Sequence, residues 1–94
     1  MKLKYYAKLG GQYNIDDFID EVQLRVDHNE ILPGIITKID GNTVLIDTPL
    51  NYKIGQGVSI GGYETGGKGF RLIEVSITDN PVFEDAKITR RIYK

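Results

Sequence analysis

Residues 57–63 read Gly-Val-Ser-Ile-Gly-Gly-Tyr, a short strand pattern that carries one hydroxyl, Ser59, and ends near paired glycines. Residues 72–78 read Leu-Ile-Glu-Val-Ser-Ile-Thr and follow a glycine-rich loop. Because successive side chains of a strand point to opposite faces, Ser59 lies on the face away from its apolar neighbours. The two stretches predict an antiparallel hairpin, and one possible register of that hairpin sets Ser59 near Glu74.

Alternation also divides the second stretch between two faces. One face takes Ile73, Val75 and Ile77, and the other takes Leu72, Glu74 and Ser76. A slip of one residue in the pairing would exchange the faces that the two strands present, so the sequence leaves the register open.

Composition limits the class of protein. A chain of 94 residues with 40% hydrophobic and 27% charged residues predicts one small folded domain. The net charge of −1 argues against a nucleic-acid partner. With no cysteine and one histidine, we expect no metal site and no cofactor. No apolar run approaches the roughly 20 residues that cross a bilayer, so we expect no membrane partner.

One short helix is predicted near the amino terminus. Asn14 can cap it, Asp16 and Asp17 suit its positive end, and four apolar residues share one of its faces. The helix ends near Glu21, where strict alternation begins and predicts a strand that leads to His28.

Strands account for most of the remaining chain. Residues 2–9 alternate, residues 35–40 and 43–47 predict a hairpin around an Asp-Gly-Asn turn, and residues 88–93 predict a last strand or an arm. The predicted fold is mainly β, a small antiparallel barrel or folded-over sheet of six to seven short strands with one short helix. The short connections favour antiparallel pairing.

Five short motifs follow one another between residues 28 and 86. In order they are His28, Pro33-Gly34-Ile35-Ile36, Asp47-Thr48-Pro49-Leu50, Val58-Ser59-Ile60-Gly61-Gly62, and Glu74-Val75-Ser76-Ile77 with Asn80-Pro81. This ordered set resembles the prohead proteases of tailed phages, which are related in fold to the herpesvirus assemblins. On this resemblance the single domain divides into a lead-in at residues 1–27, a protease-like core at 28–86 and a terminal strand or arm at 87–94.

The resemblance implies serine peptidase chemistry on a β scaffold. Ser59 would be the nucleophile and His28, the only imidazole of the chain, its general base. Glu74 is the first candidate for the group that orients the imidazole, and Asp79 is the second. The paired glycines after Ser59, or the glycine-rich loop, would supply backbone donors for the oxyanion.

The chain departs from that family in length. Only residues 51–56 separate the Asp-Thr-Pro segment from the Ser59 strand, where the family has a helix. The sequence therefore favours a capsid-associated structural protein, auxiliary or decorating, that binds the major capsid protein or scaffold and could form a homo-oligomer. It would be assembled in the host cytoplasm and reside in the virion capsid.

Two alternatives stay open. One is a compact prohead serine endopeptidase that cleaves scaffold and capsid precursors with the Ser59–His28 pair. The other is a β-barrel interaction module with no viral connection.

Overall fold

The computed structural model describes residues 3–92, which consist of β-strands joined by turns and loops. The strands are β1 (Leu3–Lys8), β2 (Asn14–Ile15), β3 (Gln23–Val26), β4 (Glu30–Leu32), β5 (Ile35–Lys38), β6 (Thr43–Thr48), β7 (Val58–Gly66), β8 (Gly69–Ile77) and β9 (Lys87–Ile92). The mainly β prediction is confirmed. Within this described range there is no helix that could span a membrane.

Four strands form an antiparallel sheet, sheet A, in the order β5-β6-β1-β9. Strand β6 alternates strictly between buried and half-buried residues, with Val44, Ile46 and Thr48 buried. The predicted hairpin is confirmed as β5 and β6, with Ile36 opposite Ile46. The last strand is confirmed as β9, which puts the carboxyl end of the described chain beside β1; residues 93 and 94 lie outside the described residues.

The other five strands form sheet B, in which β8 pairs with β2 and β3 along one edge and with β7 along the other. The predicted antiparallel hairpin of β7 and β8 is confirmed. The purely antiparallel expectation is wrong, because β2 and β3 both run parallel to β8. A long stretch of chain separates those partners in sequence, so a parallel crossing needs no tight turn. Both sheets are open, which fits the folded-over sheet and not the closed barrel.

The two sheets share one apolar core. Its fully buried members include Tyr5 and Ile46 from sheet A and Leu24 and Val75 from sheet B. Burying an aliphatic side chain of this size stabilises a fold by about 1.5–3 kcal/mol. The buried phenol of Tyr5 also makes two hydrogen bonds. It donates to the carbonyl of Leu50 and accepts from a neighbouring backbone N–H. The core therefore packs β8 and the start of β7 against sheet A.

The predicted helix over residues 14–21 is wrong. Asn14 and Ile15 instead form β2, and the backbone N–H of Asn14 donates to the carbonyl of Lys68 at 2.7 Å. Ile15 is buried, but Ile19 is 75% exposed, so the expected apolar face does not exist. A helix of about two turns is marginal alone, and pairing with β8 satisfies the backbone instead.

Candidate active site on sheet B

The register of β7 and β8 places the predicted site residues on one face of sheet B. Ser59 pairs with Ser76, and Gly61 pairs with Glu74. This is two residues away from the register that would set Ser59 opposite Glu74. A shift of two residues preserves the faces, so Ser59 and Glu74 still point to the same side as diagonal neighbours. We call this side of sheet B, with Ser59, Ser76 and Glu74, the polar face.

A bulge in β8 changes which of its side chains face the core. The pairing shifts between Gly61 and Gly62, so that Gly62 lies opposite Leu72 and Ile73 is an extra residue in β8. Beyond the bulge Leu72 joins the core that also contains Val75, whereas Ile73 is 46% exposed. The predicted faces of Leu72 and Ile73 are therefore wrong, because simple alternation does not continue across the extra residue.

The paired glycines are needed for close packing at this bulge. A Cβ on Gly61 would lie 2.0 Å from Oε2 of Glu74, so the carboxylate occupies the space that a side chain would fill. Gly62 has φ 155°, and a Cβ there would lie 2.0 Å from the carbonyl oxygen of Arg71. The resemblance offered these glycines or the glycine-rich loop as oxyanion donors, and the structure shows a different reason for glycine at residue 61: it lets Glu74 lie across β7.

His28 lies in a strained turn between β3 and β4. The predicted strand that reaches His28 ends at Val26 instead, and Asp27 and His28 both have positive φ, 48° and 60°. The N–H of Asn29 closes the turn on the carbonyl of Val26 at 2.9 Å. Glycine, asparagine and aspartate are the usual residues in such a turn, so the strain falls on His28, at about 1–2 kcal/mol relative to glycine. The turn brings His28 over the polar face.

Glu74, a residue of β8, binds the turn that carries His28. Its side chain is 8% exposed, and Oε2 contacts Nδ1 of His28, whose side chain is 44% exposed. Oε1 accepts a hydrogen bond from the hydroxyl of Ser76 at 2.6 Å, and that hydroxyl accepts from the backbone N–H of His28 at 2.8 Å. An ionised carboxylate only accepts, so Nδ1 carries the proton and a neutral His28 keeps its lone pair on Nε2.

The structure distinguishes between the two candidates for the orienting group. Glu74 contacts the His28 ring, whereas Asp79 is exposed and accepts a bond from the amide of Gln56 at 3.4 Å. Sequence reasoning missed Ser76 as a member of this network. The signal was present, since residues two apart in a strand share a face and Ser76 follows Glu74 at that spacing.

Ser59 is the predicted site residue that remains apart. It is 2% exposed, and its Oγ has no hydrogen-bond partner among the described residues. Ser59 therefore makes no hydrogen bond to the His28 ring, although both lie on the polar face. A buried hydroxyl without a partner costs about 1–3 kcal/mol relative to one that is bonded. The site thus has a complete His28–Glu74–Ser76 network beside an unused hydroxyl.

Comparison with known proteins gives no relative: no protein-family model, curated protein or solved structure matches this chain. Between residues 3 and 92, no group of three His, Cys, Asp or Glu side chains is arranged to hold a metal ion. The chemistry of this site has to be argued from its own side chains.

Proposed function

We propose that this protein is a compact serine endopeptidase with Ser59 as nucleophile, His28 as general base and Glu74 as the residue that orients the base. One observation supports this most: Glu74, on the same face of sheet B as Ser59, contacts Nδ1 of His28 and leaves Nε2 as the nitrogen that can accept a proton. The sequence favoured a structural role, and this contact moves the preference to catalysis. That the substrates are phage scaffold and capsid precursors rests on the resemblance to prohead proteases.

The proposed reaction gives Ser59, His28 and Glu74 distinct roles. Nε2 of His28 takes the proton of the Ser59 hydroxyl while Oγ bonds to the carbonyl carbon of the substrate. Glu74 remains ionised and stabilises the imidazolium that forms. The C–N bond then breaks, the amine leaves with the proton held by His28, and water hydrolyses the acyl ester by the same steps.

The mechanism requires Ser59 to rotate toward Nε2 when a peptide binds. Its Oγ is inaccessible in the free protein and has no bond that would have to be broken. The outer edge of β7 is open beyond Val58: apart from the bridge of Gly57 to Lys87, no described strand pairs with it. An extended peptide can pair with such an edge and displace whatever covers the hydroxyl.

A second candidate function is the capsid-associated structural role, in which this protein binds the major capsid protein or scaffold. The buried, unpaired Ser59 hydroxyl favours it, since a nucleophile has to be reached by its substrate. Several large apolar side chains are exposed and could meet a partner: Ile19, Ile31, Ile35, Ile39, Ile54, Tyr63, Ile73 and Val82. In that function the network of His28, Glu74 and Ser76 fastens the turn to β8 and has no chemical task.

Labelling with a fluorophosphonate separates the two functions. An activated Ser59 bonds to the phosphorus and expels fluoride, and mass spectrometry of the digested protein identifies the modified residue. The chain has a second serine in described strands, Ser76, whose modification would be seen in the same digest. We expect labelling at Ser59, none in Ser59→Ala, and a rate about 10,000-fold lower in Glu74→Gln.

Heat-unfolded protein is the control for chemical background. If the folded wild-type chain stays unlabelled and still binds capsids or scaffold, the peptidase function is wrong and the structural one is supported. Equal labelling of wild type and Glu74→Gln would remove the orienting role of Glu74.

A further inference from the structure

Sheet A has a second face, which points away from the core and which we call the outer face. Direct pairing across the four strands arranges its side chains in rows, two of which cross all four strands: Thr37–Leu45–Tyr6–Arg90 and Ile35–Asp47–Lys4–Ile92. Tyr6, Leu45 and Ile92 are half-buried, yet none of them belongs to the core or packs against it. The outer face is therefore a second surface with apolar content.

The row Ile35–Asp47–Lys4–Ile92 has an acid and a base at its centre and an isoleucine at each end. Asp47 of β6 lies directly opposite Lys4 of β1. Within residues 3–92 neither of these two side chains takes part in an ion pair. Oδ1 of Asp47 is also buried without a hydrogen-bond partner. The carboxylate therefore lacks a cation, although a lysine lies on the neighbouring strand.

This order of side chains is complementary to itself under a two-fold rotation. An axis between β6 and β1, close to the strand direction, lays a second copy face to face with the first, so that each β6 covers the β1 of the other copy. Asp47 then meets Lys4 of the second copy, and the isoleucines at the two ends of the row meet each other. Packed sheets lie about 10 Å apart, a distance that a lysine and an aspartate side chain span together.

The other complete row fits the same rotation. Leu45 and Tyr6, at its centre, are direct neighbours and lie on opposite sides of the axis. Each therefore covers the other residue type in the second copy. Two packed sheets cross at about 30°, which displaces the residues nearest the axis least. The central acid, base, leucine and tyrosine therefore determine how well the two faces fit.

We propose that this protein forms a two-fold dimer through the outer face, in which Asp47 of each copy binds Lys4 of the other. The face measures about 20 Å by 20 Å, which is small for a stable interface. We therefore expect a reversible dimer with a dissociation constant of about 10–100 µM. The polar face belongs to sheet B, so this inference does not rest on the proposed peptidase function.

Sedimentation velocity at protein concentrations on both sides of that range measures the dimer. Leu45→Lys should raise the dissociation constant at least about 10-fold, because a charge then lies in the apolar centre of both copies. Lys4→Asp and Asp47→Lys should each raise it about 100-fold or more, since like charges then meet twice across the two-fold axis.

Mixing the two charge variants separates contacts between copies from contacts within one chain. Lys4→Asp has two acids at the centre of its row, and Asp47→Lys has two bases. In the mixture every central contact between copies joins opposite charges, whereas each chain still holds like charges. We expect the mixture to dimerise with a dissociation constant within about 10-fold of the wild-type value.

Lys68→Asp is the matched control, because it makes the same change of charge at an exposed residue of the turn between β7 and β8. Circular dichroism verifies that each variant is folded. If Asp47→Lys does not fold, Leu45→Lys and Lys4→Asp decide the question alone. A wild type that stays monomeric overturns the proposal, as do dimers that neither of these two variants weakens. A mixture of folded variants that stays monomeric removes the contact of Asp47 with Lys4 between copies.

Discussion

Sheet A and sheet B use the same core but differ in what they bury. In β6 of sheet A the buried side chains are those that alternation predicts, and the hydroxyl of Thr48 donates to the carbonyl of Pro33 at 2.6 Å. Each sheet leaves one buried polar atom without a hydrogen-bond partner, Oδ1 of Asp47 in β6 and Oγ of Ser59 in β7. Sheet B differs in that it also buries the carboxylate of Glu74. Buried charge is a poor source of stability. The two sheets therefore differ in one polar group: sheet B holds a buried carboxylate that bonds to a histidine and a serine, and that buried carboxylate is where the proposed site lies.

The prediction with the largest expected effect concerns the bulge in sheet B. Gly62→Ala should lower the free energy of unfolding by about 3 kcal/mol or more, because the new Cβ meets the Arg71 carbonyl and φ is unfavourable. Gly66→Ala is the matched control in the same strand, since it has φ 118° and open space around it. It should cost only the backbone strain, about 1–2 kcal/mol. Urea unfolding measures both, and equal losses would mean that the bulge does not require glycine.

The second test addresses sheet A. Tyr5→Phe should lower the free energy of unfolding by about 1–3 kcal/mol, because it leaves the carbonyl of Leu50 and the N–H of Tyr52 unpaired in the interior. Tyr63→Phe, at a residue 58% exposed, should change it by less than about 0.5 kcal/mol. Labelling of Ser59 should be unaffected by Tyr5→Phe at temperatures where the protein is folded. Loss of labelling would show that sheet A and the site are not separable.

The hairpin of β5 and β6 in sheet A could be predicted from the sequence because its rules are local. Residues 35–38 and 43–48 alternate around an Asp-Gly-Asn turn, and each feature favours the same hairpin. Sheet B could be predicted only in part. The hairpin of β7 and β8 follows from local pattern, but its bulge depends on Gly62 meeting Arg71 across the pair. The helix prediction failed at residues 14–21 for a similar reason, since β2 exists only through its pairing with β8.

The candidate site, like sheet B, could be predicted only in part. Glu74 was the first of two candidates for the partner of His28, with Asp79 the second, and the structure brings Glu74 and His28 together. No pattern in the sequence could indicate that Ser59 is covered, because covering depends on the three-dimensional surroundings of β7.

The smallest expected effect concerns glycine and alanine, whose order of stability should be opposite at one position beside sheet B and at one position in sheet A. At His28, where φ is 60°, glycine is the relaxed residue, so His28→Gly should be more stable than His28→Ala by about 1 kcal/mol. Both variants lose the contact with Glu74, which therefore cancels in the comparison. At Thr37, an exposed residue of β5 in sheet A, the order should reverse, and glycine should be less stable than alanine by about 0.5–1 kcal/mol. Urea unfolding of the four variants measures both differences. The same order at both positions would mean that the turn is not strained, and the strain at His28 would no longer count as a mark of function.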